Sequence, residues 1–170
     1  LSVADNDPSL RHIVNPPLRS EQDRQAMIQA LLDGTADCIS TDHAPHTAQD
    51  KANGAPGFSG LETAYGVCNS VLVQGIQGAA SGKTLTASQL SQLMAANPAH
   101  LLKLHQGNEP RGLLQPGFVA DLTLCNPTAQ WTVCGQNFAS KGKYTPLEGK
   151  SLTGKVLATY HRGREVFKSE

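Results

Sequence analysis

The chain is poor in the features that mark a nucleic-acid partner or a membrane segment. Charged residues make up only 16% of its 170 residues, the formal net charge is +0, and no basic block stands out. Without such a block the chain offers no electrostatic footprint for a polyanion. No apolar stretch approaches the roughly 20 residues of a membrane span. With an ordinary apolar content of 39%, we expect a globular protein with no nucleic-acid or membrane partner.

Paired metal-binding cysteines are also absent. The four cysteines, Cys38, Cys68, Cys125 and Cys134, are scattered and form no C-x-x-C pair, which argues against a zinc knuckle. We therefore predict free thiols in a reducing, cytoplasmic setting. The sequence starts at Leu1 without an initiator Met and without a charged-then-apolar signal pattern. We expect a chain that begins partway through a longer protein.

The sequence does have a clear local order of helix and strand. Ser20, three residues before Asp23, is typical of a capping box; apolar residues then repeat at helical spacing, and Gly34 is a typical stop. These signals predict a helix over residues 21–33. The apolar run that follows predicts a buried strand over residues 36–41. A helix that leads into a buried strand is the half-unit of an α/β barrel.

The remaining elements follow from the same apolar spacing and turn residues. We predict an irregular segment at 1–19, a loop at 47–60, helices at 61–76 and at 84–96 (capped near Thr86), a break at Asn97-Pro98, a short helix or turn at 99–104, strands at 118–124, 131–133, 155–160 and 165–167, and a hairpin turn at 161–164. A loop of about fourteen residues is long for a barrel connection, which favours a functional role.

The stretch Ser40-Thr41-Asp42-His43-Ala44-Pro45-His46 carries the strongest chemical signal. It follows the predicted buried strand, and side chains at such a strand end point into the catalytic mouth of an α/β barrel. A carboxylate oxygen beside two imidazoles suits a metal-assisted hydrolytic site. From these residues alone two interpretations stay open. Asp42 also suits a turn or a helix N-cap, and either histidine also suits an ordinary surface position.

Three ordered motifs together resemble the dihydroorotases of the cyclic amidohydrolase superfamily. They are Thr41-Asp42-His43-Ala44-Pro45-His46, Asn15-Pro16-Pro17-Leu18-Arg19 and Pro56-Gly57-Phe58-Ser59-Gly60-Leu61-Glu62-Thr63. The resemblance spans nearly the whole chain but matches only the C-terminal part of a dihydroorotase. It implies an α/β fold, in which residues 1–106 are the C-terminal strands, loops and helices of a metal-dependent TIM barrel. Residues 107–170 would be the C-terminal part of a small composite β-domain.

The resemblance also implies an activity and a site. Dihydroorotases reversibly hydrolyse the cyclic amide of (S)-dihydroorotate to N-carbamoyl-L-aspartate in pyrimidine biosynthesis, with one or two zinc ions. Asp42 would ligate the metal and carry the proton from water to the leaving nitrogen. His46 would bind the substrate carboxylate, Asn15 would fix the ring, and backbone groups at Pro56 and Gly57 would bond its amide edges. Gly57 suits a close approach because it has no side chain.

The chain does not contain the full ligand set that the resemblance calls for. The other ligands of the family are a His-x-His pair, a carboxylated lysine and two further histidines, and this sequence has no His-x-His. One carboxylate cannot hold a zinc ion that takes three or four protein ligands. We therefore expect most of the ligands outside this chain, and an isolated chain that is inactive or barely binds metal.

Other polar residues are predicted to be structural. His43 suits a supporting or solvent contact, Glu62 suits the first turn of a helix, and Arg19 suits an ion pair or cap. His100 and His105 are predicted to lie at the surface or in packing contacts. The single tryptophan, at position 131, is predicted to lie in the core of the β-domain.

Two alternatives to a dihydroorotase stay open. The first is another cyclic amidohydrolase, such as a hydantoinase, dihydropyrimidinase or allantoinase, although the Ala-Pro-His after Asp42 is unusual for these. The second is a non-catalytic dihydroorotase-like subunit that scaffolds aspartate transcarbamoylase. We expect a homo-oligomer, with aspartate transcarbamoylase as a candidate partner protein.

Overall fold

The computed structural model describes residues 1–5 and 13–169. Within that part, helices precede an antiparallel sheet of three strands in the order β1-β2-β3. The elements are α1 (Glu21–Asp33), α2 (Ala48–Ala52), α3 (Leu61–Cys68), α4 (Ala87–Ser91), α5 (Asn97–Leu101), β1 (Leu122–Thr132), β2 (Ser151–His161) and β3 (Arg164–Lys168), with π-helical turns at Asn69–Val73 and Gln92–Ala96 and 3₁₀ turns at Val3–Asp5 and Gly135–Asn137. Of the predicted irregular segment, residues 6–12 lie outside the described residues.

Helix α1 begins and ends where its sequence predicts. The Ser20 hydroxyl accepts a hydrogen bond from the Asp23 N–H at 3.1 Å, and the Asp23 carboxylate accepts one from the Ser20 N–H at 3.1 Å. Gly34 adopts the left-handed conformation at φ 82° and ends the helix. Both predicted signals are confirmed, because each depends only on residues close in sequence.

The predicted strand over residues 36–41 is not formed. The segment runs without regular secondary structure, and the Ile39 N–H donates to the Leu93 carbonyl at 3.0 Å. The Asn97 amide also donates to the Asp37 carbonyl, at 2.7 Å. A strand needs a neighbouring strand to take its hydrogen bonds. In the described residues this segment lies beside a helical turn instead.

The break predicted at Pro98 is also wrong. The chain passes from the π-helical turn Gln92–Ala96 directly into α5. The Asn97 N–H donates to the Gln92 carbonyl, five residues earlier. Pro98 cannot repeat that bond to Leu93, but the Leu93 carbonyl accepts from Ile39 instead. A proline in the first turn of a helix is tolerated because its N–H would have no helical partner there.

The other helices follow the prediction with shifted ends. A capping box at Thr86, with Gln89 as its partner, begins α4 as predicted. The helix predicted over residues 61–76 is α3 followed by the π-helical turn Asn69–Val73. The predicted loop at 47–60 contains the short helix α2, which begins with a capping box at Thr47. None of the described helices is long and apolar enough to cross a membrane.

The sheet is built from two antiparallel pairings. Strand β1 pairs with β2, and β2 pairs with β3 through a tight turn at Arg162 and Gly163. Both turn residues have positive φ, 52° and 76°, as a two-residue hairpin turn requires. The predicted hairpin is therefore confirmed. The strands predicted at 118–124 and 131–133 are wrong in their bounds: residues 122–132 form one continuous strand, β1, and residues 118–121 and 133 lie outside it. The pairing of β1 with β2 has two irregularities, which let one strand continue through the segment predicted to separate two.

Two apolar clusters stabilise the fold, and α3 with its π-helical turn contacts both. The first contains Ile28, Leu72, Leu85, Leu90 and Leu93. The second contains Val133, Phe138 and Leu152, with Val67, Trp131 and Leu147 packed against it. Trp131 thus packs against this core as predicted, and its indole N–H donates to the Gly154 carbonyl at 2.8 Å. At Gly66 a β-carbon would lie 3.2 Å from the Trp131 ring, so glycine lets α3 approach the sheet closely.

Candidate active site

The segment that contains the Asp-His-Ala-Pro-His motif lies directly against the loop before α3. The Ala44 N–H donates to the Phe58 carbonyl at 3.2 Å. At Gly60 a β-carbon would lie 3.5 Å from the Thr41 carbonyl oxygen. Two motifs that are separate in the sequence therefore form one surface.

His46, Pro56 and Gly57 are brought together by this arrangement. The His46 ring nitrogen Nε2 lies 2.8 Å from the Pro56 carbonyl oxygen. Since a carbonyl can only accept, Nε2 carries the proton and donates it. Gly57 has φ 119°, and a β-carbon there would lie 2.6 Å from Ala44 Cβ. Position 57 therefore requires glycine for both its backbone conformation and its close contact.

The segment that carries Asn15 is tied to the same loop. The Gly57 N–H donates to the Ile13 carbonyl at 2.8 Å. Asn15 lies two residues further on and is exposed. The backbone thus places Asn15 beside the loop that contains Pro56 and Gly57, although no hydrogen bond joins its side chain to that loop.

Asp42 is exposed and has an unusual backbone conformation. Its φ is 45°, in the left-handed region that residues other than glycine seldom adopt. Within the described part of the chain its carboxylate takes part in no hydrogen bond or ion pair. Strained backbone of this kind is found at functional sites, where the surrounding structure holds it. The carboxylate is available to an external ligand, and no hydrogen bond or ion pair joins it to Asn15, His46 or Gly57.

The backbone groups predicted to bond a substrate already have protein partners. The Gly57 N–H donates to Ile13, and the Gly57 carbonyl accepts from the Lys51 ammonium at 2.9 Å. The Pro56 carbonyl accepts from His46. A carbonyl oxygen can accept a second hydrogen bond, whereas an N–H donates only one strong bond. Pro56 is exposed, whereas Gly57 is buried. In this structure a substrate could therefore reach the Pro56 carbonyl, but not the Gly57 N–H, which is already donated.

Lys51 is a residue of this region that the sequence did not reveal. Its side chain is only 4% exposed, and its ammonium donates to the carbonyls of Ile13, Ala55 and Gly57 at 3.1, 2.7 and 2.9 Å. The ammonium also lies 5.0 Å from the centre of the Tyr144 ring. Burial lowers the pKa of Lys51 below its ordinary value. A lysine in a polar, Gly-rich loop gave no signal that it would be buried.

His43 and Glu62 have structural partners, in agreement with the roles predicted for them. The His43 Nδ1 accepts hydrogen bonds from the N–H groups of Gly60 and Leu61, at 3.1 and 3.3 Å. The imidazole thus caps α3, whose N-cap residue is a glycine with no side chain to do so. The Glu62 carboxylate accepts from the N–H groups of Ala139 and Ser140, at 2.9 and 3.1 Å.

The segment before β2 is hydrogen-bonded to the loop that precedes α3. The Ser59 N–H donates to the Tyr144 carbonyl at 3.0 Å, and the Ser59 hydroxyl donates to the Gly142 carbonyl. At Gly142 a β-carbon would lie 2.8 Å from the His46 backbone nitrogen. The position of His46 therefore depends on residues almost 100 positions further along the chain.

The described residues do not form a complete metal site. They contain no group of three or more His, Cys, Asp or Glu side chains placed to hold an ion. Asp42 can supply one oxygen ligand, which fits one position of a zinc site but not a whole one.

His100 and His105 stack on each other with ring centres 4.2 Å apart, in the packing role predicted for them. The four cysteines are free thiols, as predicted.

A cleft elsewhere in the described structure is not the predicted site. It has a volume of about 1020 Å³ and lies between α3 and the sheet, where His43, Glu62 and Trp131 contribute to its lining. None of the predicted site residues lines it. Its polar side chains at positions 43 and 62 already bind backbone N–H groups.

Curated relatives of this chain are dihydroorotases. The dihydroorotase of Syntrophus aciditrophicus (strain SB) is 43% identical over 161 residues, which cover 92% of this chain and 35% of the relative. That of Shouchella clausii (strain KSM-K16) is 40% identical over 172 residues, which cover 99% and 37%. The chain spans about a third of the length of the curated relatives it matches.

Solved structures with the same fold are hydantoinases. The L-hydantoinase (dihydropyrimidinase) from Arthrobacter aurescens superposes with a TM-score of 0.84 and 27% identity, over 99% of this chain and 37% of that chain. The D-hydantoinase (dihydropyrimidinase) from Thermus sp. gives 0.78 and 22%, over 94% and 34%. These matches confirm the predicted mixed α/β amidohydrolase fold. A model of the amidohydrolase family matches residues 2–166, and the chain therefore belongs to that family.

Proposed function

We propose that this chain forms the C-terminal part of a dihydroorotase, which hydrolyses the cyclic amide of (S)-dihydroorotate in pyrimidine biosynthesis. The observation that carries the proposal is the contact between three motifs, because the Asp42–His46 segment, the Pro56-Gly57 loop and the Asn15 segment form one surface. Identities of 40–43% to dihydroorotases over most of the chain support it. The assignment of residues 1–106 to a TIM barrel and of 107–170 to a composite β-domain belongs to the same proposal.

Asp42 acts as the proton carrier in this proposal. Its exposed carboxylate takes a proton from the attacking water and delivers it to the ring nitrogen as the C–N bond breaks. The water oxygen becomes part of the new carboxyl group, and the proton carried by Asp42 ends on the released amide nitrogen. The second proton of the water leaves to solvent when the new carboxyl group ionises to a carboxylate. One carboxylate serves both steps because the proton it accepts is the proton it returns.

His46 binds the substrate carboxylate in this proposal. Its Nε2–H is already donated to the Pro56 carbonyl, so only Nδ1 remains for a ligand. Nδ1 can donate to an anion only when the ring is an imidazolium, since a neutral ring carries one proton. The imidazolium carries a positive charge, which attracts the negative substrate carboxylate. Asn15 would orient the ring from the neighbouring segment.

Zinc is part of the proposal, with Asp42 as one ligand and the remaining ligands outside the described residues. When bound, zinc polarises a carbonyl and makes a bound water more acidic. The proposal includes one or two ions. A homo-oligomer, association with aspartate transcarbamoylase and a cytoplasmic location stay predictions.

The test is an assay of the complete gene product that carries this chain. We expect wild-type protein to hydrolyse dihydroorotate, and Asp42→Asn to lower kcat by about a thousandfold, because a neutral amide cannot take up the proton. The matched control is Asp37→Asn, another exposed aspartate on the same segment, which should leave kcat unchanged. Full activity of Asp42→Asn would contradict the assigned role.

A hydantoinase activity is the second candidate, because the solved structures with this fold include hydantoinases. Hydantoin and dihydroorotate differ in that only dihydroorotate carries a ring carboxylate for His46. The same assay with both substrates separates the two candidates. Hydrolysis of hydantoin alone would favour the second, and hydrolysis of neither would favour a non-catalytic subunit.

A further inference from the structure

The Lys51 ammonium is placed to hold backbone carbonyl groups rather than to contact solvent. An ammonium group has three N–H donors, and here they meet three carbonyl oxygens at 2.7 to 3.1 Å. The side chain is 4% exposed. A buried charge is costly unless hydrogen bonds compensate it, so these three bonds hold each carbonyl strongly in place.

The three carbonyls belong to the two segments that would hold the substrate. Ile13 precedes Asn15 by two residues, while Ala55 and Gly57 flank Pro56 on either side. One ammonium therefore fixes the separation between the Asn15 segment and the Pro56-Gly57 loop. The Gly57 N–H, which donates to Ile13, joins the same two segments a second time.

Helix α2 links Lys51 to His46. Thr47 directly follows His46 and caps the helix, because its hydroxyl accepts from the Asp50 N–H at 3.1 Å. The Asp50 carboxylate accepts from the Thr47 hydroxyl at 2.6 Å, and these bonds lower the pKa of Asp50. Lys51 is the next residue. A short helix that begins with the Thr47 capping box thus connects His46 to Lys51.

We propose that Lys51 is a positioning residue that sets the geometry of the substrate-binding segments through their backbone carbonyls. This proposal rests on the proposed function, because it assigns the role through Asn15, Pro56 and Gly57. Lys51 acts on the substrate only through these segments, while Asp42 lies on a different one. Loss of the ammonium should therefore weaken substrate binding more than it slows the proton transfer.

The first measurement is the steady-state kinetics of Lys51→Met in the complete gene product. We expect KM for dihydroorotate to rise about tenfold or more, with a smaller change in kcat, since loops displaced by even about 1 Å bind poorly. The matched control is Lys83→Met, an exposed lysine that should leave both constants unchanged. Equal KM values for the two variants would overturn the proposal.

The second measurement does not depend on turnover. Hydrogen exchange of the peptide that spans residues 53–60 reports the Gly57 N–H, which is bonded to Ile13. We expect this exchange to become faster in Lys51→Met and to stay unchanged in Lys83→Met. If wild-type protein does not hydrolyse dihydroorotate, the proposed function fails, and unchanged exchange in Lys51→Met would separately overturn the role of Lys51.

Chemical rescue separates positioning from general stability. In Lys51→Ala, n-propylammonium can fill the space of the removed part of the side chain and donate to the three carbonyls. Tetramethylammonium carries the same charge but has no N–H donor. We expect n-propylammonium alone to restore a low KM and slow exchange at residues 53–60. A variant that is unfolded and stays so with n-propylammonium would overturn the proposal, as would equal rescue by both cations.

Discussion

Two histidines three positions apart have opposite hydrogen-bonding roles. His46 donates its Nε2–H to the Pro56 carbonyl, whereas the His43 Nδ1 accepts from the N–H groups that begin α3. His43 therefore has an unprotonated Nδ1, and its imidazole replaces the side-chain cap that Gly60 cannot supply. The sequence motif presents both histidines alike. Their roles differ because each faces a different backbone group.

At the scale of single residues, the cap predicts the effect of replacing His43. His43→Ala should lower the free energy of unfolding by about 1 kcal/mol, because the N–H groups of Gly60 and Leu61 lose their acceptor. His43→Asn should recover part of this, since an asparagine oxygen can accept from the same groups. Urea denaturation of both variants measures the effect. Equal stability of His43→Ala and wild type would show that the cap contributes nothing.

At the scale of elements, the π-helical turn after α3 joins the helix to the sheet. The Asn69 amide donates to the carbonyls of Pro127 and Thr153, at 2.9 and 2.8 Å. The Ser70 hydroxyl donates to the Thr153 carbonyl and accepts from the Thr153 N–H. Asn69 is 1% exposed and packs against Gly154, whose φ of 109° suits glycine. Buried polar groups thus connect two elements more than 80 residues apart.

This connection predicts that Asn69→Leu is destabilising despite its similar size. The loss of two buried hydrogen bonds should lower the free energy of unfolding by about 1–2 kcal/mol, since each carbonyl keeps one other donor. The control is Gln74→Leu, whose amide also donates to Pro127 but is exposed, and which should cost less than about 0.5 kcal/mol. The urea denaturation midpoints of the two variants measure these losses of stability. Equal losses in Asn69→Leu and Gln74→Leu would show that burial of the Asn69 amide does not strengthen its contribution.

At the scale of the whole molecule, the shortage of metal ligands predicts weak metal binding by this 170-residue chain alone. The described residues supply Asp42 but no cluster of further ligands around it. A single carboxylate does not hold zinc, so the purified chain should contain far less than one zinc ion and should not hydrolyse dihydroorotate. Metal analysis and the turnover assay measure this. Stoichiometric zinc or robust turnover would contradict it.

The sequence predicts local structure correctly where the determining residues are neighbours. The capping boxes at Ser20 and Thr86 and the hairpin at Arg162-Gly163 were predicted because side chain and backbone meet within a few residues. The prediction is wrong at residues 36–41, where a strand needs a distant partner, and at Pro98, where Ile39 donates to the carbonyl that a proline leaves free. Both errors come from hydrogen bonds to residues more than 50 positions away.

The sequence by itself determined the family motifs, the helix caps and which residue types could carry hydrolytic chemistry. Only the tertiary structure decided that Lys51 is buried against Ile13, 38 residues away, and that His43 caps a helix 17 residues further on. The physical reason is that a cap or turn is a local balance of backbone torsions and nearby hydrogen bonds. A buried ammonium exists only where folding brings carbonyls from separate segments to one point.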